Sequence, residues 1–181
     1  MKTYSNTALD IEFANLPITL VNLFTTSIDE KNVTRKIKAR KSLVSMGRKV
    51  IPHMHKLLSS QKLLLRMEAA KIVEQIADYK SIPSLIQLLD DNEFDIRWIA
   101  ATGLIRIGRR SIIPLLKAVR DGKSSYFLNM GVHHVLTELL NEGEKQKLEQ
   151  LMKCLENEHT LREVAPTEAS KALKTVFRCK N

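Results

Sequence analysis

Apolar side chains recur along this chain at helical spacing, and the clearest run lies near its middle. Ile96, Ala100, Ala101, Leu104 and Ile107 fall on one helical face. Asp91, Asn92 and Glu93 stand just before it, with capping oxygens and negative charge suited to a helix start. Gly108 is placed to end that helix, and Arg109 and Arg110 follow near its negative end. Pro114 then fits the first turn of a second helix, where its missing N–H leaves no bond unmade. Ile113, Leu116 and Val119 are its expected inward face, and Asp121 and Gly122 close the unit.

The same script appears earlier. Arg66, Ala69, Ala70, Val73 and Ile76 predict a first helix. Ser81 is placed to cap a second, which carries Ile82, Pro83, Leu85, Leu88 and Leu89. A looser unit precedes it, with Arg35, Ala39, Leu43, Met46 and Gly47, then Ile51, Pro52, Leu57 and Leu58. Pro52, Pro83 and Pro114 stand 31 residues apart, as do Arg35, Arg66 and Arg97. A fixed period of this length marks a helical repeat. One hairpin of helices cannot bury both apolar faces alone, so neighbours shelter each other. The paired alanines allow close helix crossing.

The expected fold is all-α: a right-handed α-solenoid, armadillo/HEAT-like, of four to five helical pairs in a single domain over residues 1–181. Residues 1–28 form an N-terminal capping segment with a helix near 16–25. Repeats follow at 29–60, 61–91 and 92–122. A degenerate repeat spans 123–158, with helices near 126–140 and 144–156, and a capping helix closes 159–181 (near 161–177, bent or begun at Pro166). In the degenerate repeat Leu128 replaces the repeated Arg and Gly131 the first alanine.

These residues resemble the short HEAT-like repeat of the phycobilisome-lyase type. The match is best at Arg97, Ala100, Ala101, Leu104, Ile107, Gly108, Ile113, Pro114, Leu115 and Leu116. HEAT units are also similar in an Asp six residues before the Arg. Asp91 with Arg97 and Asp29 with Arg35 fit that pattern, whereas Ser60 precedes Arg66. Residues 131–136, with Gly131, His133 and His134, resemble a segment of small bacterial HEAT-repeat proteins of no assigned role. The resemblance implies a fold and leaves activity open. Such arrays mostly bind proteins through the groove of their second helices; a few relatives attach or remove a pigment, and some related arrays hold DNA.

Composition changes this picture little. The 181 residues are 44% apolar, with six glycines and five prolines. That balance suits helices joined by short turns in an ordinary soluble fold. The longest mostly apolar stretch, residues 16–24, is too short to span a bilayer. The polar N-terminus lacks a signal-peptide pattern. Cys154 and Cys179 lack metal-ligand spacing and are expected as reduced thiols in a cytoplasmic protein.

Charge is more telling. The formal net charge is +9, yet residues 31–66 hold eleven basic residues and no acidic one. Lys36, Lys38, Arg40, Lys41, Arg48, Lys49, Lys56 and Lys62 are therefore anion or nucleic-acid candidates, against a plainly solvated face. The window has no Phe, Tyr or Trp to stack on bases. Arg35, Arg66 and Arg97, with Asp29 and Asp91, read as a structural ladder, because a guanidinium fork binds two oxygens at once. His53 with His55, and His133 with His134, diverge around a helix, so neither pair chelates a metal by itself. His134, Glu138 and Glu142 do share a stripe. Neither a metal nor another cofactor is expected.

Trp98, on a ridge with Thr102 and Ile105, is an exposed anchor for a partner or a contact for a terminal element. His53, Lys56, Ser84, Gln87, Leu115 and Ala118 occupy the variable outward positions of the second helices and are the concave-face candidates. The expected function is a non-catalytic binding or scaffold module for a protein with an acidic surface. The alternatives are nucleic-acid binding through the basic first repeat, and an enzyme that handles a pigment or nucleotide. No phosphate-cradling loop or nucleophile motif supports the last.

Overall fold

The computed structural model describes residues 18–28, 31–121, 125–156 and 164–175. The described residues are helices and short turns. The chain divides into two compact units, 1–78 and 79–181.

In the first unit, α1 (Ile18–Ile28) packs along α2 (Val33–Ser45) and also meets α4 (Leu63–Ile76). Leu20 and Phe24 of α1 are buried. Asn32 caps α2, its Oδ1 accepting from the Arg35 N–H at 2.9 Å. Only Ala39 and Leu43 of α2 are buried, so one narrow stripe holds this helix down. A 3-10 turn (Gly47–Lys49) leads into α3 (Ile51–Leu57), with Pro52 in its first turn as the sequence predicts. α3 packs on α4 through Ile51, Met54 and Leu57. Leu65, Ala69, Ala70, Ile72 and Val73 fill the facing side of α4.

In the second unit, α5 (Ile82–Leu88) pairs with α6 (Phe94–Ile107), and α7 (Ile112–Arg120) follows after the turn Gly108–Ser111. Gly108 sits at φ +83°, in the half of backbone space that an L side chain resists. Ala77, 31 residues earlier, ends α4 at φ +51° and bears that strain without a glycine. Ser111 ties the turn down, its buried hydroxyl donating to the Leu104 carbonyl at 2.9 Å. Ser81 stands at the start of α5 but makes no side-chain capping bond there, contrary to the sequence reading.

Helix α8 (Tyr126–Leu139) packs on α6, and Ser125 caps it by accepting from the Leu128 N–H. Gly131 has a packing reason: a Cβ there would lie 2.8 Å from Leu89 Cδ2. The helix expected over 144–156 is two pieces, α9 (Glu142–Lys147) and α10 (Glu149–Glu156), separated at Leu148. Asn141 and Glu144 form a capping box that starts α9. The closing helix is α11 (Ala165–Thr175); residues 161–163, 176 and 177 of the expected span lie outside the described residues.

α11 packs on α7 and α10. Its stripe of Ala165, Ala169 and Ala172 is buried, which brings the two backbones close. This corrects the reading of Leu115. Its register positions 31 and 62 residues earlier, Ser84 and His53, are half-buried, whereas Leu115 is 0% exposed on the helix that α11 covers. Leu115 is therefore core, not an outward groove position, and Ala118 beside it is half-buried.

Candidate functional site

Helices α6 and α8 leave a groove between them, and large apolar side chains crowd its rim. Phe94 and Trp98 are one turn apart on α6; Tyr126, Met130 and His134 are one turn apart on α8, with Phe127 beside them. The groove encloses about 310 Å³ and its lining is mostly apolar. Phe94, Trp98, Tyr126, Phe127 and Met130 are all exposed, Phe94 by 65% and Trp98 by 54%.

The rings are ordered. Trp98 stacks between Phe94 and His134, with ring centroids 6.4 and 5.2 Å away and planes within 24° and 23°. Tyr126 meets Phe127 edge-on at 5.8 Å. The Arg97 guanidinium lies 3.9 Å from the Phe127 centroid and 5.7 Å from that of Phe94, a cation–π arrangement that stiffens the wall. Trp98 was legible as an exposed anchor, but its companions are Phe94 and His134. Thr102 is half-buried and donates to the Trp98 carbonyl, and Ile105 is half-buried. The missed residues had a signal: Phe94 stands four before Trp98, and Tyr126, Met130 and His134 keep a four-residue step.

The repeated arginines hold main-chain oxygens. Arg97 Nη1 donates to the carbonyls of Asp91 (2.7 Å) and Asn92 (3.0 Å). Arg66 Nη1 donates to the Ser60 carbonyl at 2.6 Å. The shared bond thus runs to a carbonyl six residues upstream, so Ser60 in place of Asp does not break it. The Asp91 carboxylate and the Ser60 hydroxyl also do the same local job, each accepting from the N–H two residues on. Arg35 is exposed, and its guanidinium has no partner among the described residues; Asp29 lies outside them.

The basic window does not form one patch. Arg40 is turned inward as a fork on Glu68, at 2.5 and 2.8 Å, and Glu68 is only 2% exposed. Arg48 Nε lies 2.5 Å from the buried Asp78 carboxylate. Both arginines are thereby engaged by acids from just beyond the window. Lys38, Lys41, Lys49 and Lys56 are exposed, and Lys36 and Lys62 are half-buried.

Among the second-helix candidates, His53 and Ser84 are half-buried, and Lys56 and Gln87 exposed. His53 Nδ1 is buried without a hydrogen-bond partner. Burial pushes the His55 imidazole below its ordinary value, and the nearby Asp78 charge opposes that shift. His133 Nε2 reaches Glu156 at 3.1 Å, so the carboxylate contact of the histidine pair goes to α10, not along the Glu138–Glu142 stripe. Arg109 forks onto Glu144 and also reaches the Leu139 carbonyl. Among the described residues no three His, Cys, Asp or Glu converge to hold a metal, and no helix is long and apolar enough to cross a membrane. Cys154 is buried; Cys179 lies outside the described residues.

Helical pairs in register every 31 residues, their turns held by an arginine on an upstream carbonyl, define an α-helical repeat protein. Residues 51–129 match the family of HEAT repeats, and the chain is a HEAT-repeat protein. No curated protein matches it.

Proposed function

We propose that this HEAT-repeat protein is a binding module without catalysis of its own, and that another protein docks in the groove between α6 and α8. The observation that carries this reading is the convergence of five exposed large side chains, Phe94, Trp98, Tyr126, Phe127 and Met130, on one groove. Folded monomers rarely leave so dense an apolar cluster uncovered unless something binds there. The composition is also that of an energetic hot spot, which favours Trp, Tyr and Arg. The stacked rings and the anchored Arg97 are already rigid, so little side-chain freedom is lost on docking. Second-helix docking has less support here, since α11 covers α7 and buries Leu115.

Trp98 is the chain's only tryptophan, so its emission reports this groove directly. A protein captured by the chain from its native extract, once purified, should shift that emission on titration. Trp98→Ala and Phe127→Ala should each weaken its binding about 30-fold or more, the scale of a hot-spot truncation. A captured partner that binds both variants within about twofold of wild type, inside the range of peripheral contacts, would place docking elsewhere.

A further inference from the structure

The first unit carries a second surface that the aromatic groove does not explain, and the inference drawn from it stands without the groove. Of the eleven basic residues in the window 31–66, Arg40 and Arg48 are engaged by Glu68 and Asp78. Three others share one side of α2. Arg35, Lys38 and Lys41 follow at three-residue steps, so each is displaced about 60° around the helix and about 4.5 Å along it from the last. All three are exposed, and none has a side-chain partner among the described residues. Held this close, like charges repel, and an opposite charge laid across them relieves it.

Beside this basic stripe runs an apolar edge. Val33 and Ile37 are one turn apart, and they are 65% and 43% exposed. The buried side of α2, Ala39 and Leu43, is committed to the fold, so these two are additional apolar residues on the outer face. That combination separates two kinds of anionic partner. A nucleic-acid backbone matches the cations but offers nothing to Val33 and Ile37, and this face has no ring on which a base could stack. A protein helix with acidic residues along one edge and apolar residues along the next matches both.

We propose that the outer face of α2 docks an acidic amphipathic segment of a partner protein. Its carboxylates lie along Arg35, Lys38 and Lys41, and its apolar side chains cover Val33 and Ile37. Arg35 supplies a fork and the two lysines mobile point charges, so the carboxylate nearest the start of α2 is the one held in fixed geometry.

Three labelled probes test this on the full chain: a synthetic amphipathic helix of Leu and Glu, polyglutamate, and duplex DNA of random sequence. Each is titrated at about 50 and 200 mM salt, a range over which phosphate-backbone binding collapses. The Leu/Glu helix should bind tightest. Val33→Ser with Ile37→Ser should weaken it about tenfold, equivalent to 1.4 kcal/mol, and leave DNA and polyglutamate unchanged. Reversing Arg35, Lys38 and Lys41 to Glu should abolish binding of all three. Every substituted side chain is exposed, so circular dichroism should be unaltered. Tighter binding to DNA, or an unchanged Leu/Glu affinity in the serine variant, overturns the proposal in favour of a charge-only surface. Failure of all three probes to bind overturns it outright.

Discussion

Asn129 is the sharpest test of the packing in the second unit. It lies within α8 at 0% exposure, and neither Oδ1 nor Nδ2 has a hydrogen-bond partner. Helical spacing puts it on the flank that carries Leu136 and His133, away from the aromatic groove. A buried amide left unsatisfied costs about 1–3 kcal/mol. Leucine has the same branched skeleton, so Asn129→Leu removes that penalty and buries two methyl groups in place of polar atoms, a gain of about 1.5 kcal/mol. Overpacking by the larger methyls takes back about 1–2 kcal/mol. The expected net effect is a stabilisation of about 1–3 kcal/mol, where most core substitutions destabilise.

Urea unfolding followed by Trp98 emission is the suitable assay, because Trp98 and Asn129 belong to the same compact unit. With slopes of about 1–3 kcal/mol per molar urea, the midpoint should rise by about 0.5–1.5 M at an unchanged slope. Asn129→Ala separates the two contributions: it removes the stranded amide without adding bulk, so its midpoint should stay near wild type. A fall of similar size in both variants refutes the argument. It would mean that the amide is hydrogen-bonded in the folded chain, through an enclosed water.

Two further outcomes bear on the first unit. Arg40→Ala strands the Glu68 carboxylate at 2% exposure and should cost about 3–5 kcal/mol in denaturant unfolding, whereas Arg40→Met with Glu68→Met should recover most of that loss; a single-variant loss below about 1 kcal/mol contradicts the ion-pair reading. His55 has a lowered pKa in the fold, so the unfolded chain takes up its proton first as pH falls. The stability this residue contributes at neutral pH should therefore drain away as pH drops through 6.5 toward the folded value, and His55→Gln should flatten that part of the urea-midpoint profile; an identical profile removes the claim.

The parts of the fold that repeat were readable in advance, and those built from distant segments were not. Pro52 and Pro83 open their helices, and Ala69, Ala70, Ala100 and Ala101 are buried where the helices cross, because each answers to neighbours within its own hairpin. Leu115 looked like a free outward position because its register mates are His53 and Ser84. Its burial depends on α11, some fifty residues away, and no local pattern announces a helix that returns to α7. The aromatic groove escaped for a similar reason. It is assembled from departures from the repeat on two helices, and a 31-residue comparison discounts departures as decay.

The arginine ladder shows why the departures are the informative part. Arg66 and Arg97 perform one task, holding the carbonyl six residues upstream, whether that residue is serine or aspartate. A position that tolerates such exchange is constrained by backbone geometry and says little about a partner. At the corresponding place in the degenerate repeat Leu128 is buried, and Tyr126, Phe127 and Met130 around it stay exposed. Those side chains add nothing to the turn that the arginine held, and they lower no folding cost by remaining in water. The same logic applies to Val33 and Ile37 on α2, next to cations that no acid engages. Both surfaces lie on the first helices of their pairs. A partner that reads this protein is therefore expected to meet α2 or the α6–α8 groove before it meets the second helices, of which α7 is already covered by α11.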